Sequence, residues 1–260
     1  MIYKNIKTIE GEPKKMSLKV SLNSLYWPGS DARIVEGHKS VTKHFGLSVN
    51  YHEERINHGY WMETVLKESN ADVVGFFDID CVPIKKEAVL DLVKFAAKNK
   101  SIAGCAQASN HIAPMTHVYV AACAIFIYKP LYVALGYPTL SETTNSDTAE
   151  NLTYAAEANG VRMRALYPSK FESEPEEGIW RLNNYGFFGI GTVFGNDQFY
   201  HLYQSRFDKN IEMFSKRCEQ IVNGGFSSKD FHSSTDFDYP GKICNYHQEQ
   251  KLYADLASKL

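Results

Sequence analysis

The run Val73-Val74-Gly75-Phe76-Phe77 is apolar at every position, so an extended chain there presents no polar face to water. Such a strand must be covered on both sides, which in a mixed chain means a sheet packed between helices. The flanking sequence supplies them. His58–Ser69 before the run and Lys85–Asn99 after it read as helices, the second with Val89, Leu92, Val93 and Ala96 at helical spacing. Upstream, Ser17–Leu25 reads as a first strand ended by Tyr26-Trp27-Pro28-Gly29. Ser30 or Asp31 caps a helix reaching about Phe45, and Leu47–Tyr51 is a short second strand. Ser101–Gln107 is a further strand. The alternation over residues 17–107 predicts an α/β sandwich with a mostly parallel sheet, whose ligands sit beyond the carboxyl ends of the strands.

Beyond this point Val118–Tyr128 is expected as a strand, Pro130–Leu135 and Asp147–Asn159 as helices, and Val161–Tyr167 as a returning strand. Glu172–Gly195, rich in Gly, Asn and acidic residues, reads as a long mobile loop. Arg206–Val222 and Gln248–Leu260 read as amphipathic helices of a C-terminal appendage. The expected organisation is an N-terminal arm (1–16), a main domain (17–205) and the appendage (206–260). A chain of 260 residues suffices for one sizeable core.

Charge and cysteine usage narrow the function classes. With 28 Lys+Arg against 30 Asp+Glu, a broad polyanion-binding surface is not expected, although a few cations clustered locally would leave DNA among the acceptors. Five cysteines at wide spacings, with no CxxC pair, support neither a disulfide framework nor structural zinc and fit a reducing cytoplasm. Residues 1–15 carry Lys and Glu where a signal peptide needs an apolar run. The longest strongly apolar stretch, Val118–Tyr128, falls well short of the roughly 20 residues of a membrane-spanning helix. Oligomeric state is not legible.

The central chemical feature follows the apolar run directly: Asp78-Ile79-Asp80. In extended chain, residues two apart project to the same side, so the two carboxylates converge. Two such groups repel unless a proton or cation lies between them, and oxygen ligands suit Mg²⁺ or Mn²⁺, which commonly bridge to substrate phosphates. The same short pattern at Asp236-Phe237-Asp238 has no strand before it and is assigned no role.

The segment around Asp78 and Asp80 resembles the DxD region of nucleotide-sugar glycosyltransferases of the GT-A fold. The likeness extends over roughly residues 17–206 through the order of short motifs. Asn57-His58-Gly59 opens the preceding helix; Val120–Tyr128, Lys129 and Leu135-Gly136-Tyr137 are similar to the strand and turn on the acceptor side. Asp147-Thr148-Ala149-Glu150 is similar to the acidic motif that opens a later helix. The resemblance implies a Rossmann-type αβα sandwich that moves a sugar from a UDP- or GDP-type donor to an acceptor hydroxyl, with Mn²⁺ or Mg²⁺ as cofactor. It implies Asp78, Asp80 and the late His201 as metal ligands. It places Tyr26, Trp27, Arg33, Asn57, His58, Asp78 and Arg206 on the donor, and Asp147, or else Glu150, as the base. Asp147 is equally readable as a helix cap completed by Glu150.

Three other readings fit part of the pattern. Asp78-Ile79-Asp80-Cys81-Val82 matches the DxDx[TV] motif of haloacid-dehalogenase-type phosphatases, but two strands and two helices precede it and that family's later acidic motif is missing. Nucleotidyltransferases of similar architecture carry a basic Gly-rich loop after the first strand, which Tyr26–Gly29 lacks. A non-catalytic carbohydrate-binding module would use the 16 Tyr and 15 Phe for sugar stacking.

Overall fold

Strand and helix alternate from Val20 to Ala108 in the computed structural model of the chain, which describes residues 18–108, 117–173, 178–182 and 185–235. The elements of this half are β1 (Val20–Tyr26), α1 (Ala32–His44), β2 (Val49–Glu53), α2 (His58–Glu68), β3 (Val73–Asp78), β4 (Cys81–Pro83), α3 (Lys86–Asn99) and β5 (Ile102–Ala108). There follow β6 (Val118–Tyr128), α4 (Lys129–Ala134), α5 (Glu150–Ala158), β7 (Arg164–Leu166), β8 (Pro168–Glu172), β9 (Ile179–Arg181), β10 (Phe187–Gly189), β11 (Gly191–Phe194), β12 (Phe199–Leu202), α6 (Asp208–Val222) and β13 (His232–Ser233).

The main sheet has the order β2-β1-β3-β6-β5-β7. All its strands run the same way except β6, which is antiparallel to both neighbours, so the sheet is mostly parallel as expected. β3 is central, and its first five residues are buried. Their side chains divide between the faces: Val73 and Phe77 pack with Ala88, Leu92 and Ala96 of α3. Val74 and Phe76 pack with Trp61, Met62 and Leu66 of α2 and with Leu152 and Ala156 of α5. The architecture is therefore the αβα sandwich that the doubly apolar run demanded.

A second sheet, β13-β8-β11-β12-β4, leans against one end of the first. It corrects the expectation of a mobile loop over 172–195, whose described residues supply β9, β10 and β11. Strands of three or four residues are too short to show a period of two. α6 packs along α1 through Ile211, Phe214 and Cys218 facing Ile34 and Val41, and β13 then returns to pair with β8. The helix expected at 248–260 and Asp236–Asp238 lie outside the described residues.

α2 begins where a glycine is required. Asn57 caps it, its Oδ1 accepting the Tyr60 N–H at 2.9 Å, and a Cβ on Gly59 would run into the backbone of Leu140 and Ser141. Gly59→Ala must push that loop away. The expected loss is about 1–3 kcal/mol of stability, read as a lower midpoint in denaturant titration with an unchanged slope.

Candidate functional site

Two strand ends and one short hairpin-like pairing build the site. β3 delivers Asp78 at its carboxyl end, Ile79 turns the chain, and Asp80 precedes β4. β4 pairs antiparallel with β12, with His201 opposite Cys81 and the Leu202 N–H donating to the Asp80 carbonyl at 2.9 Å. That pairing brings a histidine 121 positions downstream of Asp80 beside the aspartates.

Its Nε2 lies 3.5 Å from Asp80 Oδ1 and 3.9 Å from Asp78 Oδ2. One ligand atom from each of Asp78, Asp80 and His201 falls within 4.8 Å of the others. The donor set is two carboxylates and an imidazole, which suits Mg²⁺ or Mn²⁺. Burial, and then the charge of Asp80, hold the Asp78 carboxyl well above the usual carboxylate range. Such a pair needs a counter-charge, so the residues fit a divalent cation.

The sign of this shift gives a pH prediction. A carboxyl whose pKa is raised on folding stabilises the fold fully below its unfolded value, and that contribution disappears as pH rises through the folded value. In chelator the chain should therefore lose stability with rising pH as Asp78 ionises. Mn²⁺ should offset the loss, and thermal melts across the acid-to-neutral range with chelator or Mn²⁺ measure both effects.

Two cavities meet at this group. One, of about 290 Å³, is lined by Leu25, Tyr26, Trp27, Ser30, His58 and the Asp78–Asp80 turn. The other, of about 310 Å³, is lined by His58, Asp78, Asp80, Gln107, Tyr119, Asp147, Thr148, His201 and Gln204, among others. His58 stands between them, its Nε2 3.6 Å from Asp78 Oδ1, with burial pushing its pKa down to about 4. Trp27 is 55% exposed, so a flat apolar surface faces the first cavity at little cost in ordering.

Asp147 faces the second cavity. Its Oδ2 accepts the Tyr119 hydroxyl at 2.9 Å and its Oδ1 accepts the Thr148 N–H at 2.7 Å. Burial, and then Asp147 itself, push the Tyr119 phenol well above its usual range, so it stays a donor. Glu150 is fully buried, outside both cavities, with one oxygen on the Asp147 N–H at 2.7 Å. The helix expected to open at Asp147 begins only at Glu150, because Ala149 adopts φ 67° and breaks the helical path.

Arg33, Asn57 and Arg206, also expected on the donor, are not among the residues lining either cavity. The Arg33 guanidinium is held by Asp31 (2.8 Å) and Asp208 (2.9 Å), and Asn57 is occupied as the α2 cap. Arg206 lies over the Phe207 ring at 5.5 Å and lines neither cavity. No Lys or Arg is among the described residues lining the two cavities. Sequence reasoning missed Gln107, Tyr119, Thr148, Tyr203 and Gln204. Gln107 carried a signal, since it is the polar residue that ends the apolar Ile102–Ala106 run, much as Asp78 ends its own.

No protein-family model matches the chain, and no curated protein matches it. Solved structures do. A mannosyltransferase from Pyrobaculum calidifontis, in complex with GDP-mannose and Mn²⁺, is similar at 12% identity and TM-score 0.42 over 60% of this chain. The chain spans 57% of that mannosyltransferase. A glycosyltransferase involved in glycosylating the major capsid of PBCV-1 matches at 12% identity and TM-score 0.35, over 56% of this chain and 81% of that one. S. aureus TarS 1–349 matches at 12% identity and TM-score 0.39, over 82% and 74%. Two of these three are glycosyltransferases by name. No helix among the described residues is long and apolar enough to cross a membrane.

Proposed function

We propose that the chain is a divalent-cation-dependent glycosyltransferase that uses a nucleotide-diphosphate sugar. The observation that carries the reading is the convergence of Asp78, Asp80 and His201 at the junction of two cavities. In this reading residues 17–205 form the catalytic domain, and α6 and β13 brace it.

Asp78, Asp80 and His201 hold the cation. When bound, it supplies the positive charge that a departing diphosphate needs, which no Lys or Arg among the described lining residues provides. Tyr26 and Trp27 take the nucleoside in the first cavity, while His58, neutral near pH 7, closes the passage between the two. In the second cavity the acceptor hydroxyl lies against Asp147. As the bond from sugar carbon to diphosphate oxygen breaks and the bond to the acceptor oxygen forms, the hydroxyl proton passes to an Asp147 oxygen. Tyr119 and the Thr148 N–H orient that carboxylate. Glu150, turned away from the cavity, is left without the role of base. With no Lys or Arg among the described residues lining the two cavities, we favour a glycan or small-molecule hydroxyl over DNA as acceptor.

The test is release of nucleoside diphosphate from UDP- and GDP-sugars, with Mn²⁺, Mg²⁺ or chelator. Metal-dependent release is expected. Phosphate release from a simple aryl phosphate, with no nucleotide-sugar turnover, would support the phosphatase instead.

A further inference from the structure

Behind Asp147, on the side away from the cavity, stands a row of side chains that the reaction as described does not use. His117, just before β6, puts Nδ1 2.6 Å from Glu150 Oε1 and Nε2 3.3 Å from Glu157 Oε2. Its ring lies flat on Tyr154, at 3.9 Å between centroids and 9° between planes, and 6.5 Å from the Tyr119 ring. The other oxygen of Glu150 takes the Asp147 N–H. A continuous path thus runs from Glu157 through His117 and Glu150 to the backbone of the residue that faces the cavity.

Two physical features make the path consequential. Glu150 is fully buried, and a buried carboxylate is costly unless a charged or hydrogen-bonding partner meets it. Between Asp147 and the helix, Ala149 sits at φ 67°, a left-handed conformation that costs a non-glycine residue about 1–2 kcal/mol and persists only where its surroundings impose it. The contacts that impose it are the Ala149 N–H on the Leu140 carbonyl (2.8 Å) and Glu150 on the Asp147 N–H.

We infer that His117 is a positioning residue for transfer: through Nδ1 it fixes Glu150, and through Glu150 it fixes the Asp147 backbone so that the carboxylate faces the second cavity. This rests on the reading of Asp147 as base. The titratable groups around His117 are Glu150, Glu157, Tyr154 and Tyr119. Partial burial disfavours its charge, but the two carboxylates outweigh it and hold the imidazole above its usual pKa. The imidazole therefore keeps its proton to higher pH than an unperturbed histidine and loses it as pH rises further.

Two conservative variants separate the two ring nitrogens. The amide of H117N places a donor where Nδ1 is, whereas that of H117Q places one where Nε2 is. With Mn²⁺ and whichever UDP- or GDP-sugar the wild-type chain hydrolyses, H117Q should lower kcat about 10- to 100-fold with donor KM unchanged. H117N should retain most of the rate. Heteronuclear NMR reads the same coupling without turnover: the Asp147 amide resonance should move with the midpoint of the His117 imidazole and stop moving in H117Q. An Asp147 amide that ignores the His117 titration overturns the inference, as do H117N and H117Q variants of equal rate. If the wild-type chain turns over no nucleotide sugar, the transferase reading fails while the amide titration still decides the coupling.

Discussion

Asp80→Ala is expected to reduce metal-dependent nucleotide-sugar turnover about 10³-fold, the equivalent of about 4 kcal/mol in the barrier. Asp80 is the ligand whose loss is cleanest to interpret. Its backbone carbonyl, not its side chain, ties β4 to β12 through Leu202, so the alanine variant keeps the fold that brings His201 to the site. What remains is Asp78 and one imidazole, too few ligands to hold a hard cation against water. Stability should move the other way. Asp80 raises the Asp78 carboxyl pKa by repulsion, so removing its charge relieves the metal-free site. In chelator the variant should melt no lower than the wild-type chain, and it should lose the rise in midpoint that Mn²⁺ gives. A variant both inactive and unstable in chelator would instead mark Asp80 as a structural residue.

Asp147→Asn is expected to lower kcat about 10²- to 10⁴-fold, the range typical of a lost general base. The amide is nearly isosteric: its oxygen can still accept the Thr148 N–H, while its NH₂ donates to the Tyr119 oxygen, whose hydroxyl rotates away, so the loop should keep its place. Because Asp147 borders the second cavity and not the one lined by Trp27, donor KM should stay within a few-fold of wild type. Steady-state kinetics with donor varied at fixed Mn²⁺ distinguish the two parameters. An unchanged kcat would move the base to another group.

What was legible in the sequence followed from burial. A strand covered on both faces has no polar residues until it leaves the core, so β3 and β6 stood out, and the aspartates at the end of β3 marked the site edge. His201 was placed by motif order alone. The pairing that brings it to Asp80 runs through β4, a three-residue strand with no readable period. The same shortness hid β9, β10 and β11 inside an apparent loop. Arg33, expected on the donor, has a local partner that the sequence also offered: Asp31, two residues earlier, accepts from its guanidinium. The start of α5 was misjudged by three residues because a left-handed alanine is not foreseeable from sequence, and Glu150 consequently turned inward to His117.

Calorimetric titration of GDP and UDP into the chain, with Mn²⁺ or with chelator, tests the central claim most directly. The site as described predicts binding of at least one nucleoside diphosphate in Mn²⁺, its loss in chelator, and its loss in Asp80→Ala even with Mn²⁺ present. Binding that is indifferent to both the metal and Asp80, or no binding of either nucleotide, would contradict it.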